Sequence, residues 1–135
     1  NQYPGRFAAH MMYSPNLSTA IYGGADLFLM PSISEPCGLS QMIAMRYGTI
    51  PVVRETGGLR DSVVPYNKFT GEGTGFSFAN INVQEMTGVL SEAVNLYHNE
   101  PKAWKALQKN AMTADFSWER SAKAYEEIYG WVTGK

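Results

Sequence analysis

Apolar residues alternate along residues 6–13, with Phe7, Ala9, Met11 and Tyr13 sharing one face, which predicts a strand. Ser14-Pro15 follows, an N-cap residue and a proline suited to the first helical position. Leu17 and Ile21 at i,i+4 spacing predict a helix that stops at Gly23-Gly24, residues able to supply a left-handed cap. Leu27-Phe28-Leu29-Met30 is apolar without alternation, the pattern of a strand covered on both faces in a parallel sheet. After a loop over residues 33–38, the stretch 39–47, with Met42, Ile43 and Met45, predicts a short buried helix closed by Gly48. Residues 50–53 predict a third strand, with Pro51 near its start, where a missing N–H is tolerated.

Beyond Thr56-Gly57-Gly58-Leu59, residues 60–64 predict one more helical turn, 65–75 a polar, glycine-rich loop, and 75–79 a short fourth strand. Asn82, with Glu85 three residues on, predicts a capped helix whose apolar face is Met86, Val89, Leu90, Ala93, Leu96 and Tyr97. Pro101 opens a helix with Trp104, Leu107 and Met112, and Ser117 caps a last one striped by Tyr125, Ile128, Tyr129 and Val132. Alternating strands and helices imply an α/β domain, a Rossmann-like parallel sheet with right-handed crossovers flanked by helices.

The chain has 135 residues, a formal charge of −1 and one cysteine. Such a length buries a sizeable core without staples. Lys and Arg balance Asp and Glu with no basic stripe, which argues against nucleic acid as a partner. No apolar run is long enough to span a membrane and no signal peptide is evident, so a cytoplasmic location is expected. A lone Cys37 forms no internal disulfide framework, and no metal-ligand spacing appears.

Ligands of open parallel sheets sit outside the carboxyl ends of the strands. That directs attention to Tyr13-Ser14, to residues 34–40 (Ser-Glu-Pro-Cys-Gly-Leu-Ser) and to residues 55–59 (Glu-Thr-Gly-Gly-Leu). In the last two, glycine permits close backbone approach and the following helix offers unpaired N–H groups, a combination suited to a diphosphate. Ordinary strand-to-helix turns carry the same residues. Cys37 as a nucleophile would need a base, and neither His10, placed in a strand, nor His98, near a helix C-terminus, stands beside it in sequence. The run Gly71-Glu72-Gly73-Thr74-Gly75 leads into a strand rather than a helix and lacks the dipole of a phosphate loop. Asn16-Leu17-Ser18 falls inside a predicted helix, which argues against glycosylation.

The segments 25–32 (Ala-Asp-Leu-Phe-Leu-Met-Pro-Ser), 35–41 (Glu-Pro-Cys-Gly-Leu-Ser-Gln), 44–49 (Ala-Met-Arg-Tyr-Gly-Thr), 51–54 (Pro-Val-Val-Arg), 56–59 and 115–118 (Asp-Phe-Ser-Trp) together resemble the C-terminal region of bacterial glycogen synthases and plant starch synthases. The resemblance implies a retaining glycosyltransferase of the two-domain GT-B architecture, transferring glucose from ADP-glucose to the non-reducing end of an α-1,4-glucan without metal or other cofactor. It implies Glu35 as the catalytic carboxylate that holds a donor-glucose hydroxyl, and the N–H groups of Cys37 and Gly38 as further sugar contacts. Leu39 and Ser40 then meet the donor diphosphate, Thr56 and Gly57 line the nucleotide edge, and Tyr13 packs on adenine. Related transferases carry a second Glu eight positions after the first, on ribose; here that position is Ile43, which leaves ribose unassigned. The resemblance also implies that residues 1–135 are one partial domain of a longer enzyme and inactive alone. ADP or ADP-glucose would be its ligand, and the glucan would reach it through an absent N-terminal domain. Residues 117–133 would cross back toward that domain, and without it their exposed apolar face would favour self-association. Another nucleotide-sugar transferase, or a non-catalytic nucleotide- or glucan-binding module, are the alternatives.

Overall fold

The structure, a computed structural model, describes residues 3–134. Its elements run α1 (Pro15–Gly24), β1 (Leu27–Met30), α2 (Ser40–Arg46), β2 (Ile50–Arg54), α3 (Gly57–Ser62), β3 (Phe76–Phe78), α4 (Val83–Asn99), α5 (Pro101–Thr113) and α6 (Trp118–Thr133). The strands form one parallel sheet in the order β1-β2-β3, as the alternation of strands and helices implies. The central strand β2 is buried from Ile50 to Val53, which explains its unbroken apolar run. Pro51 costs it nothing. Ile50 N–H donates across to Asp26 on the β1 side, and the β2–β3 ladder begins one residue after the proline, at Val52 opposite Phe76. Met45, Leu59, Phe76, Ala93, Leu96, Trp104 and Leu107 pack with β2 to make the core, so α2, α3, α4 and α5 are all tied to the sheet.

Three expectations are corrected. Residues 6–13 form no strand: 3–6 make a turn, and Phe7, Ala9, His10, Met11 and Tyr13 lie exposed in an irregular segment. Alternation marks a surface that could pair, but a strand exists only where a neighbour supplies its ladder, and none flanks this segment. Gly23 and Gly24 end α1 without a left-handed residue, because the hydroxyl of Thr49 faces the carbonyls of Tyr22 (2.5 Å) and Ala25 (2.8 Å) and satisfies that end instead. Finally, β1 is an edge strand and only partly covered, with Leu29 exposed.

The helix caps fall where the residues direct. Ser14 accepts from Leu17 N–H with Pro15 at the first helical position, and Ser117 accepts from Arg120 N–H. Gly48, at φ +81°, closes α2: its N–H donates to Met45 and that of Thr49 to Ala44, the paired bonds of a left-handed C-cap. Asn82 accepts from Glu85 N–H at 2.8 Å, while the Glu85 carboxylate accepts from the N–H groups of Asn80 (2.8 Å) and Ala79 (3.2 Å). The bonds from Asn80 hold that carboxyl below the usual glutamate range. Asn82→Ala should therefore cost about 1 kcal/mol in urea unfolding. Because the folded pKa is lowered, the Glu85 contribution is full above the unfolded value of about 4.3 and is lost as pH falls through the folded one. Glu85→Gln should flatten stability against pH in that acidic window.

Candidate functional site

The carboxyl ends of β1 and β2 carry two loops, residues 31–39 and 55–56, and the backbone binds them together. Gly58 N–H donates to the carbonyls of both Glu35 (3.2 Å) and Pro36 (3.1 Å). The approach is so close that a Cβ on Gly57 would lie 2.1 Å from the Glu35 carbonyl oxygen, and one on Gly58 2.0 Å from that of Cys37. Gly57 also sits at φ +45°. These two glycines are thus required by the contact between the loops as well as by the turn into α3, which starts at Gly57 and not at the expected residue 60.

Arg54, the last residue of β2, reaches back across the same edge. Its Nη1 donates to the carbonyl of Ile33 at 2.8 Å and more distantly to that of Ser32, two and three residues before Glu35. Pro36 restricts Glu35 to extended backbone. The half-buried Glu35 is therefore fixed from three directions, while its carboxylate bonds to none of the described residues. Next in the chain, Cys37 and Leu39 are exposed, Gly38 is half-buried at φ +71°, and Ser40 opens α2, one residue later than the sequence suggests. No side chain caps α2. Among the described residues, the N–H groups of Cys37, Gly38 and Leu39 have no acceptor.

The structure brings together Glu35, Cys37, Gly38, Leu39, Ser40, Thr56 and Gly57. It does not bring Tyr13 into a packed wall: that ring is 93% exposed just before α1. Ile43 lies on α2 and lines a groove of about 490 Å³ with Leu39, Met42, Arg46 and Phe116, which shares only Leu39 with the strand-end loops. The glycine run 71–75 is structural. Gly73 is buried against the Tyr66 backbone, and Gly71 accepts from the Asn110 amide. His98 stacks edge-on against Tyr97. Neither histidine bonds to Cys37, and no cluster of three metal-ligating side chains occurs among the described residues.

Sequence reasoning assigned no role to Arg54, Gln41 or Ser62. Gln41 carried a signal: it is polar, yet it precedes Ala44 and Met45 at the i,i+3 and i,i+4 spacing of one buried face.

Residues 10–113 match the family of glycosyl transferases group 1, and the chain belongs to that family. Within it, the similarity is to glycogen synthases: 52% identity over 128 residues to that of Lachnospira eligens and 54% over 127 to that of Fusobacterium nucleatum. These alignments cover 95% and 94% of this chain and 27% of each relative, so the chain spans about a quarter of their length. Among solved structures, the catalytic domain of starch synthase IV from Arabidopsis thaliana, bound to ADP and acarbose, superposes with a TM-score of 0.80 at 44% identity, covering 92% of this chain and 26% of that one. A sucrose-phosphate synthase from Thermosynechococcus elongatus gives 0.60 at 25% identity, over 84% of this chain and 27% of that one. The resemblance to glycogen and starch synthases is borne out, and with it the α/β fold of these glycosyltransferases. No helix among the described residues is long and apolar enough to cross a membrane.

Proposed function

We propose that this chain forms the donor-binding part of a retaining glycosyltransferase that moves glucose from ADP-glucose to the non-reducing end of an α-1,4-glucan. The observation that carries the reading is the bond from Gly58 to Glu35 and Pro36, which joins two strand-end loops into one edge bearing a carboxylate and several N–H groups. The starch synthase neighbour, bound to ADP and acarbose, supports it.

The chemistry follows from charge. When the bond from the glucose anomeric carbon to the diphosphate breaks, negative charge grows on the departing phosphate. Fixed N–H groups aimed at that oxygen lower the barrier without a proton transfer. In this reading the Cys37 and Gly38 N–H groups and the Glu35 carboxylate grip the sugar, the carboxylate accepting from a hydroxyl. Leu39 and Ser40 face the diphosphate and Thr56 with Gly57 the nucleotide. Tyr13 would reach adenine only if the rest of the enzyme gathers residues 7–13 against the site. The helix α6 buries no side chain, and Trp118 and Trp131 are 87% and 79% exposed. That face suits contact with the remainder of a two-domain enzyme, in which the glucan lies across the cleft.

The chain alone has no second wall to exclude water from the donor, so it should bind without turning over. Titration calorimetry should detect weak binding of ADP that weakens with added sodium chloride. Faster transfer from UDP-glucose than from ADP-glucose by the full-length enzyme would sink the ADP-glucose assignment. Glucan synthesis by this chain alone would sink the requirement for a second domain.

A further inference from the structure

We propose that Gln41, backed by Ser62, is a positioning residue that aims the N–H groups of Cys37, Gly38 and Leu39 into the donor site; the proposal rests on the functional reading above. Gln41 is fully buried. Its Nε2 donates to the Gly38 carbonyl at 2.8 Å, to the Ser62 Oγ at 2.9 Å and, at 3.3 Å, to the Cys37 carbonyl. The Ser62 hydroxyl donates in turn to the carbonyl of Gly58 at 2.5 Å. Gly58 is the residue whose N–H holds Glu35 and Pro36. Four consecutive carbonyls, from Glu35 to Gly38, are thus held by groups of α2 and α3.

A planar trans peptide points its N–H opposite to its C=O. With the carbonyls of Pro36, Cys37 and Gly38 drawn toward α2 and α3, the N–H groups of Cys37, Gly38 and Leu39 must face the other way, out of the sheet edge. Gly38 at φ +71° followed by Leu39 at φ −109°, ψ −26° is the left-handed then right-handed pairing that makes successive N–H groups converge on an anion. The amide is kept at a cost. Its Oε1 is buried without a donor and lies against Gly38, where an added Cβ would meet it at 2.6 Å. An apolar side chain of the same length would avoid that orphaned acceptor but would leave the two loop carbonyls free to rotate. Orientation of the loop is what the amide supplies.

The test uses the full-length enzyme that carries this segment, assayed with ADP-glucose and glycogen. Gln41→Met keeps the length and removes the donors. It should lower kcat about 10- to 100-fold while donor KM moves less than about threefold, since the Leu39 N–H faces the phosphate where charge develops and the Cys37 and Gly38 N–H groups set where the reacting sugar lies. Ser62→Ala, which leaves the α2 amide in place, should lower kcat in the same direction by less than about tenfold. Rates are referred to the folded fraction from a thermal melt. Lower thermal stability with kcat per folded molecule unchanged in both variants would overturn the proposal, as would an effect on KM alone. Glu35→Ala runs beside them. If it lowers turnover while the other two leave kcat per folded molecule unchanged, the positioning role falls and the functional reading stands; if it leaves turnover intact, both fall.

Discussion

Glu35→Ala in the full-length enzyme should lower kcat by about 10²- to 10³-fold, read from initial rates of ADP release with ADP-glucose and glycogen. A hydrogen bond from a sugar hydroxyl to a carboxylate contributes about 1.5–3 kcal/mol, or roughly 10- to 150-fold in rate if it is made fully only in the transition state. The remainder comes from position. Glu35 stands between a proline and a loop whose carbonyls are held by Arg54 and Gly58, so its carboxylate fixes where the anomeric carbon lies. Removing that fix lets the sugar drift, and a displacement of about 1 Å can cost 10²-fold. Glu35→Gln keeps the size and one acceptor and should lose about tenfold less. Neither variant touches the core, because Glu35 packs at the sheet edge, so the melting temperature should stay near that of the parent. Normal turnover in Glu35→Ala would leave a module that binds nucleotide or glucan without catalysing transfer.

What the sequence made legible were features that are local or periodic. Each helix end with a side-chain cap, at Ser14, Asn82 and Ser117, was readable because a cap is made by residues three apart. The strands at 27–30 and 50–53 were readable from unbroken apolar runs, although only the second is buried. The strand expected at residues 6–13 was not formed, since pairing is decided by a neighbour that no pattern within the segment can reveal. The same distinction divides the site. Glu35, Cys37 and Gly38 stood out from their loop, and their family resemblance gave them roles. Of the groups that hold them, Arg54 reaches Ile33 and Ser62 meets Gln41 across 21 residues, a spacing with no local signature, whereas Gln41 bonds Gly38 and Cys37 three and four residues away. Glycines were legible in kind but not in reason. Gly57 and Gly58 suggested approach to a ligand, whereas the space each leaves is taken by the carbonyls of Glu35 and Cys37.

That occupied space sets the second large effect, the response to Gly58→Ala. The added Cβ would lie 2.0 Å from the Cys37 carbonyl oxygen and 2.6 Å from its Cα, and both are backbone atoms that no rotamer change can move aside. The loops must therefore part. Parting them breaks the bonds from Gly58 N–H to Glu35 and Pro36 and strains the link from Gln41 to the Ser62 hydroxyl. The expected loss of stability is about 3 kcal/mol, the upper end for overpacking, and it should appear as a lowered urea midpoint with unchanged slope. Gly88→Ala is the matched control. It lies inside α4 with nothing within 4 Å of its added Cβ, so the same chemical change should stabilise the chain by about 1 kcal/mol through helix propensity alone. Opposite signs at the two glycines would show that the loss at residue 58 arises from contact between the loops and not from the methyl group itself. In the full-length enzyme, Gly58→Ala should also lower kcat below the value of Gln41→Met, because it displaces the carboxylate and the N–H groups together. A Gly58→Ala protein with parental stability and parental turnover would mean that the two strand-end loops are not held against each other in solution, and the shared edge on which donor binding rests would have to be abandoned.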